Sequence, residues 1–228
     1  MLAGVRRPGS APDGTEEVVL DVTEPPELQH ELHGLVNNAG IAIAGPLEFL
    51  PPEELRRQLE VNVVGQLRLV QLALPALRRS RGRIVNIGSI SGRSALPFLG
   101  AYAMSKFALE AMTDALRVEL RPWGIHVAIV EPGTIKTPMW TRERPDPPEQ
   151  ALALYGSRLA AFREFALKRS AGGAPPDAVA EVVDHALTAE RPKPRYLVGR
   201  DARLRAGVER LPDRLRDRVY KRVLLGGA

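Results

Sequence analysis

Short apolar runs alternate along the chain with longer segments of helical periodicity. The apolar runs lie at residues 2–5, 18–22, 35–36, 84–87, 127–130 and 196–198. Helices are predicted at residues 52–77, 101–120 and 177–189, with a kink or an end expected at Pro75. Runs that are apolar on both faces are typical of parallel strands covered by helices. The alternation therefore predicts an α/β fold with a doubly wound, mostly parallel sheet.

Two further segments lie outside the predicted strands. Residues 142–170 read as a Pro-rich loop and then an amphipathic helix, which is either a mobile cover over a pocket or a surface helix packed on the same domain. Residues 203–225 carry one apolar stripe, for core packing or a subunit contact. We predict a single domain over residues 1–228, with a substrate-covering segment at 141–170 and a C-terminal helical tail at 201–228.

Composition narrows the class of protein. A chain of 228 residues suffices for one sizeable core, and 44% apolar with 26% charged residues is ordinary for a globular protein. The absence of cysteine excludes disulfides and thiolate metal sites. The four histidines form no ligand pattern, so no metal site is predicted. No run of about 18 apolar residues and no signal-type N-terminus is found, which predicts a cytoplasmic protein without a transmembrane segment.

Charge is distributed unevenly. The net charge is +5, yet residues 191–222 carry twelve Lys/Arg against four Asp/Glu, so the rest of the chain is mildly acidic. A basic tail is compatible with anionic lipid or nucleic acid, but the solvated face of a terminal helix explains it equally and is favoured. The few aromatic residues do not interleave with the basic ones, so no nucleic-acid partner is expected.

A tyrosine and a lysine stand at helical spacing in the segment 101–120. Tyr102 and Lys106 are four residues apart, so a helix places both side chains on one face. A free phenol titrates near about 10, and a neighbouring cation lowers its pKa. The spacing alone equally describes an exposed helical pair. Polar residues and glycines that follow the predicted strands, such as Ser89, provide the further signal because the carboxyl ends of parallel strands form ligand sites.

Taken in order, these elements resemble the classical short-chain dehydrogenase/reductase family over roughly residues 2–199. The matching set is Asn37-Asn38-Ala39-Gly40, Asn62, Ser89, Tyr102, Lys106 and Pro132-Gly133. The resemblance implies hydride exchange between a nicotinamide cofactor and an alcohol or carbonyl. It makes Tyr102 the general acid/base, with Lys106 lowering its pKa and holding the nicotinamide ribose. Ser89 would bond the substrate oxygen, and Asn62 would anchor a water in a proton relay.

The resemblance also implies a set of cofactor contacts. They are Asp21, Val22, Asn37, Ala39, Gly40, Tyr102, Lys106, Pro132, Gly133, Ile135 and Thr137. Arg6 and Arg7 end the first strand, where NAD-binding sites usually carry an acid, so NADP(H) is favoured and NAD(H) is the alternative. Asn38 and Ser91 are interpreted as structural residues.

The substrate class is inferred from an apolar set and from the family branch. The set is Leu96, Pro97, Phe98, Leu99, Met139 and Trp140, which suggests a small hydrophobic alcohol or ketone. The stretch 195–200 and the basic tail look like the steroid- and retinoid-type branch of the family. Related enzymes are commonly dimers or tetramers, so a homo-oligomer is expected.

One family element is missing from the sequence. Members open with a strand, a Gly-rich turn and a helix that cradle the cofactor pyrophosphate, and no such segment precedes the first strand here. We therefore expect a gap in the sheet between the strands at residues 2–5 and 35–36. The chain is interpreted as a fragment of a normal enzyme, as a shortened protein that binds cofactor poorly, or as a scaffold that binds something else. A degenerate, non-enzymatic binding scaffold is thus the alternative to an enzyme.

Overall fold

Each strand among the described residues pairs with a parallel neighbour. The computed structural model describes residues 1–24, 30–140 and 147–224. Within them the strands are β1 (Leu2–Val5), β2 (Glu16–Val19), β3 (Gly34–Asn37), β4 (Arg83–Ile87), β5 (His126–Pro132) and β6 (Arg195–Val198). The pair β1–β2 forms one sheet, and β3–β4–β5–β6 forms a second sheet in that order.

Helices lie on both faces of the four-stranded sheet. They are α1 (Pro52–Leu59), α2 (Gly65–Ser80), α3 (Gly100–Glu119), α4 (Glu149–Ala171), α5 (Asp177–Thr188), α6 (Arg200–Val208) and α7 (Asp213–Leu224). The predicted α/β, doubly wound architecture is confirmed. Among the described residues, no helix has both the length and the apolar character needed to cross a bilayer.

Two apolar layers sandwich the four-stranded sheet. One layer packs α2 and α3 on the strands through Val70, Ala73, Leu77, Ile84, Leu116, Leu120, Ile125 and Val127. The other packs α5 on the opposite face through Val85, Ala128, Val130, Ala186, Tyr196 and Val198. A third cluster, Leu96, Leu99, Phe162 and Tyr220, lies apart from the sheet and joins the loop after β4 to α4 and α7.

The predicted gap in the sheet is present. Within the described residues, β1 and β2 pair with each other. Strand β3 is an edge strand, and β4 is the strand it pairs with. Val36, in the middle of β3, is 38% exposed, which is unusual for a parallel strand of an α/β protein. The edge corresponds to the position where the family's first strand is expected.

The segment predicted as one long helix at residues 52–77 consists of two helices joined by a π-helical turn. Helix α1 ends at Leu59, a π-helical turn spans Glu60–Val64, and α2 then continues past Pro75 to Ser80. The expected end at Pro75 is therefore wrong. Pro75 lies on the exposed side of the helix, where water can satisfy the carbonyl group that proline leaves unbonded.

The C-terminal stripe was predicted as one helix and is two. Helix α6 ends at Val208 and α7 begins at Asp213, because Pro212 cannot continue a helix from the preceding turn. The turn also splits the apolar stripe. Leu204 is 70% exposed, whereas Tyr220 is buried in the third cluster.

Candidate active site

Helix α3 brings Tyr102 and Lys106 to the carboxyl end of the sheet. Both side chains are buried, at 6% and 5% exposure. The Lys106 Nζ lies 5.8 Å from the centroid of the Tyr102 ring and donates a hydrogen bond to the carbonyl of Ile87 at 2.7 Å. Gly92 permits the loop after β4 to pack closely on α3, because a Cβ there would lie 2.9 Å from the Lys106 carbonyl oxygen. The exposed-pair interpretation is therefore wrong for these two residues.

Ser89 lies directly beyond the end of β4. Its backbone is extended, and its Oγ accepts a hydrogen bond from the Ser91 amide at 3.1 Å. The same hydroxyl bonds the phenol of Tyr102. Ser89 and Tyr102 thus present their oxygens to each other, the arrangement needed to hold one oxygen of a small molecule between them.

Burial dominates the titration of the pair. It raises the pKa of the Tyr102 phenol, while the hydrogen bond from Ser89 and the positive charge of Arg205 oppose that increase. Burial also lowers the pKa of Lys106 from 10.5 to about 8, against the opposing charge of Glu110. The pKa of Tyr102 is therefore not lowered overall, contrary to the expectation for a phenol beside Lys106. The cost of removing the phenolate from water outweighs the effect of the nearby charges.

Asn62 occupies the π-helical turn, a feature that is frequent at functional sites. Its Oδ1 accepts from the Ile41 amide at 2.8 Å, and its Nδ2 donates to the Ile41 carbonyl at 2.9 Å and to Ser105 Oγ at 3.0 Å. The side chain therefore ties the π-helical turn to the loop after β3 and to α3. Its role in a water relay stays a prediction.

The residues that end β3 and follow it, 37–40, divide between the core and the cavity. Asn37 is fully buried and donates to Asn86 Oδ1 at 2.9 Å, so its side chain does not reach the cavity. Asn38 and Gly40 line the cavity instead. Ala39 accepts from Gln66 through its carbonyl. The structure thus exchanges the positions expected for Asn37 and Asn38, because side chains alternate along a strand.

The loop after β5 forms another wall. Pro132, Gly133, Ile135 and Thr137 all line the cavity, as their predicted contact role requires. Thr134 donates to the Asp201 carboxylate from its amide and its hydroxyl, both at 2.8 Å. Arg169 of α4 reaches the same carboxylate at 3.0 Å. Asp201 therefore ties together the loop, α4 and α6, a role that no local sequence signal indicated.

The predicted adenosine contacts lie elsewhere. Arg6 and Arg7 are exposed, and Asp21 bonds Thr23 through its carboxylate, which lowers the Asp21 pKa. Val22 is buried against Gly65, where a Cβ would lie 2.7 Å from the Val22 carbonyl oxygen. None of these four residues lines the cavity. The predicted contacts after β5 therefore line the cavity and these four do not, and the contacts of both sets with a cofactor stay predictions.

The cavity has a volume of about 610 Å³ and a largely apolar wall. Leu96, Leu99 and Met139 of the predicted apolar set contribute to it, and α4 adds Phe162 and Phe165. The predicted covering segment therefore does line a pocket, although residues 141–146 lie outside the described residues. The mobility of α4 stays a prediction.

A buried charge cluster lies behind Lys106. Glu131 is fully buried and binds Arg93 at 2.7 Å and Arg195 at 3.3 Å. Glu110, one helical turn after Lys106, binds Arg195 at 3.2 Å. Burial and the charge of Glu131 raise the pKa of Glu110 from 4.5 to about 7. Glu110 and Glu131 therefore compete for the same cations.

We expect Glu110→Gln to stabilise the protein at pH 8 and to change little near pH 4.5. The folded state holds the Glu110 proton up to about pH 7, whereas the ordinary pKa is 4.5, so wild-type stability is lost as the pH rises between these values. The gain should be smaller than the full shift implies, because solvent screens part of the Glu110 charge. Urea unfolding at both pH values measures it, and a pH-independent effect contradicts the raised pKa.

Comparison with known proteins agrees with this geometry. The family profile described as short chain dehydrogenase matches residues 13–148. The NADPH-dependent 3-dehydrocapnine reductase of Ornithobacterium rhinotracheale is 35% identical over 227 residues, covering 92% of this chain and 80% of that protein. Retinol dehydrogenase 5 of Homo sapiens is 36% identical over 211 residues, covering 82% of this chain and 66% of that protein.

A solved structure gives the same result for the fold. A short chain dehydrogenase from Burkholderia cenocepacia J2315 in complex with NADP superimposes with a TM-score of 0.71 at 27% identity, covering 98% of this chain and 85% of the other. The chain thus belongs to the short-chain dehydrogenase family, whose class of chemistry is the interconversion of alcohols and carbonyls. It spans 44% of the length of one curated relative, the 3-amino-tetrahydro-pyrrolizinone reductase of Xenorhabdus hominickii, and 80% of the length of the 3-dehydrocapnine reductase.

Proposed function

We propose that the protein is an NADP(H)-dependent oxidoreductase that interconverts an alcohol and a carbonyl on a hydrophobic substrate. One observation carries the proposal. Tyr102, Lys106 and Ser89 come from α3 and the end of β4, are all buried, and meet at one apolar cavity. Proton-transfer groups held at the floor of a largely apolar cavity are what carbonyl reduction requires.

Tyr102 is the proton-transfer group in this proposal. In reduction its phenol gives a proton to the carbonyl oxygen, and in oxidation its phenolate takes the proton of the alcohol. Ser89 holds the same oxygen while negative charge develops on it. Lys106, with a pKa of about 8, is mostly protonated at neutral pH and places a positive charge near the phenolate. Asn62 orders the loop after β3, and a water relay through its helical turn completes the proton path.

The residues at the nicotinamide end suit a nicotinamide cofactor, which when bound supplies or accepts the hydride. Lys106 would hold the ribose, and the wall from Pro132 to Thr137 would face the carboxamide. NADP(H) is favoured because Arg6 and Arg7 follow β1 without an acid and because a relative is named as NADPH-dependent. A related structure contains NAD, which keeps NAD(H) as the alternative.

A hydrophobic substrate is supported by the apolar cavity and by a relative named for retinol. We also propose that α4 covers the bound substrate, since Phe162 and Phe165 line the cavity. A cytoplasmic homo-oligomer completes the proposal, as expected from the family.

Titration of the chain with NADPH tests the proposal against a degenerate scaffold. We expect saturable binding, seen as a rise in the melting temperature that grows with NADPH concentration, and oxidation of NADPH when carbonyl compounds are added. The scaffold is favoured by the separation of Arg6 and Arg7 from the cavity. An unchanged melting temperature together with no turnover would reject the enzyme and leave the scaffold.

A further inference from the structure

Arg205 of α6 is a cation in the wall of the candidate substrate cavity. Its guanidinium donates to the Ser94 carbonyl at 2.7 Å and to Ser94 Oγ at 3.3 Å, and it also bonds the Tyr220 hydroxyl. All three partners are uncharged, since burial and Glu209 raise the pKa of the Tyr220 phenol. Burial lowers the pKa of Arg205 itself. This buried charge is hydrogen-bonded but is not neutralised by these partners.

The acids near Arg205 are already occupied. Among the described residues, no carboxylate oxygen lies within 4.0 Å of its guanidinium. Asp201 is bound by Arg169 and Thr134, and Glu209 is bound by Tyr220 and Arg216. The charge of Asp201 favours the Arg205 cation and that of Arg169 opposes it, and the cavity wall holds Lys106, Arg169 and Arg205 against the one carboxylate of Asp201. The wall therefore carries an excess of positive charge.

The other buried cluster of the protein shows the contrast. There Arg93 and Arg195 each bind carboxylates at 2.6 to 3.0 Å. A guanidinium removed from water without a counterion is costly, and a planar guanidinium suits carboxylate geometry. Arg205 has the properties of an anion-binding group whose anion is not part of the described chain.

The location of Arg205 indicates which class of ligand it would bind. Arg205 lines the same cavity as Ser89, Tyr102 and Lys106, beside the apolar Leu204 and Val208. It also acts electrostatically on the Tyr102 phenol, so the cationic wall lies near the reacting group. A ligand that fills this cavity thus meets apolar side chains, the proton-transfer pair and a cation that no carboxylate of the described residues contacts.

We propose that the substrate is an apolar keto or hydroxy acid, whose carboxylate binds Arg205 while its carbonyl or hydroxyl carbon lies at Tyr102. The proposal rests on the function proposed above and adds the substrate class. The competing interpretation is that Arg205 only braces Ser94 and Tyr220, joining α6 and α7 to the loop after β4.

Paired ligands of equal length separate these interpretations without needing turnover. We expect decanoate to bind the full chain about 10-fold or more tightly than decanamide at pH 7.5, as a charge-assisted hydrogen bond warrants. Arg205→Gln should reduce that ratio to about 1, and Arg205→Lys should keep part of it. Arg203→Gln removes the same charge from an exposed position of α6 and should leave the ratio unchanged. Isothermal titration measures the ratio, with melting curves to confirm that each variant folds.

Three results would overturn the proposal. One is equal affinity of wild type for decanoate and decanamide. Another is the same weakening by Arg203→Gln as by Arg205→Gln, which assigns the effect to overall charge. The third is loss of NADPH affinity in Arg205→Gln with the decanoate ratio retained, which assigns Arg205 to a cofactor phosphate. A chain that prefers decanoate through Arg205 but oxidises no NADPH would contradict the proposed activity and leave the anion site standing.

Discussion

Tyr102→Phe is expected to reduce carbonyl turnover by about 10²- to 10⁴-fold, the usual contribution of general acid–base catalysis. The substitution removes one oxygen from a buried ring and leaves the Lys106 hydrogen bond to Ile87 in place. NADPH affinity should stay within a few-fold of the parent, because the ring still fills its site. Initial rates of NADPH oxidation over a panel of apolar ketones measure the loss.

Tyr155→Phe is the matched control for that experiment. Tyr155 lies on α4, donates its hydroxyl proton to Glu48 at 2.7 Å and packs its ring edge-on against Phe98. The substitution Tyr155→Phe removes the same atom, the phenol oxygen, from a tyrosine that takes no part in proton transfer. Turnover should therefore be nearly unchanged. Near-parent turnover in Tyr102→Phe would remove the phenol from the mechanism.

Arg195→Met is expected to lower the free energy of unfolding by about 3 kcal/mol at pH 8, the low end of what breaking a buried ion pair costs. Arg195 lies 2.6 Å from Asp114, 3.2 Å from Glu110 and 3.3 Å from Glu131. Without it, Glu131 has Arg93 as its remaining cation and Glu110 has none in contact. Urea unfolding measures the loss, which should be smaller at pH 5, where Glu110 is protonated.

The control for the charge cluster is Arg203→Met, which removes an exposed arginine and should change stability by less than about 0.5 kcal/mol. A loss under about 1 kcal/mol in Arg195→Met, or an equal loss at pH 5 and pH 8, would show that the cluster does not hold β6 to α3. Glu110→Gln has the opposite expected sign, so the two substitutions test one electrostatic account from both directions.

Features set by local spacing were predictable from sequence. Tyr102 and Lys106 share a face because one helix carries both, and Ser89 reaches them because parallel strands end at one edge. The missing strand could be predicted only from the resemblance to the family, whose members open with a strand and a Gly-rich turn that this sequence lacks. The structure confirms it by leaving β3 at an edge.

Features set by contacts between distant residues were not predictable. Asp201 bonds Thr134 across 67 positions, and Arg205 bonds Ser94 across 111 positions, with no periodicity to signal either contact. The placement of the Asn37 and Asn38 side chains could not be predicted for a smaller reason. One residue of register decides which side chain enters the core, where Asn86 lies opposite Asn37 in the pairing of β3 and β4.

Because the two sheets are separate, we expect them to differ in their resistance to local unfolding. A two-stranded sheet is marginal by itself, whereas a four-stranded sheet covered on both faces holds the core. We expect β1 and β2 to open in sub-global fluctuations while β3 to β6 stay closed. The arginines proposed to choose between NADP and NAD follow β1, and the proton-transfer residues follow β4 and lie on α3. Discrimination between cofactors therefore depends on the less protected unit of the chain, and the chemical step depends on the more protected one.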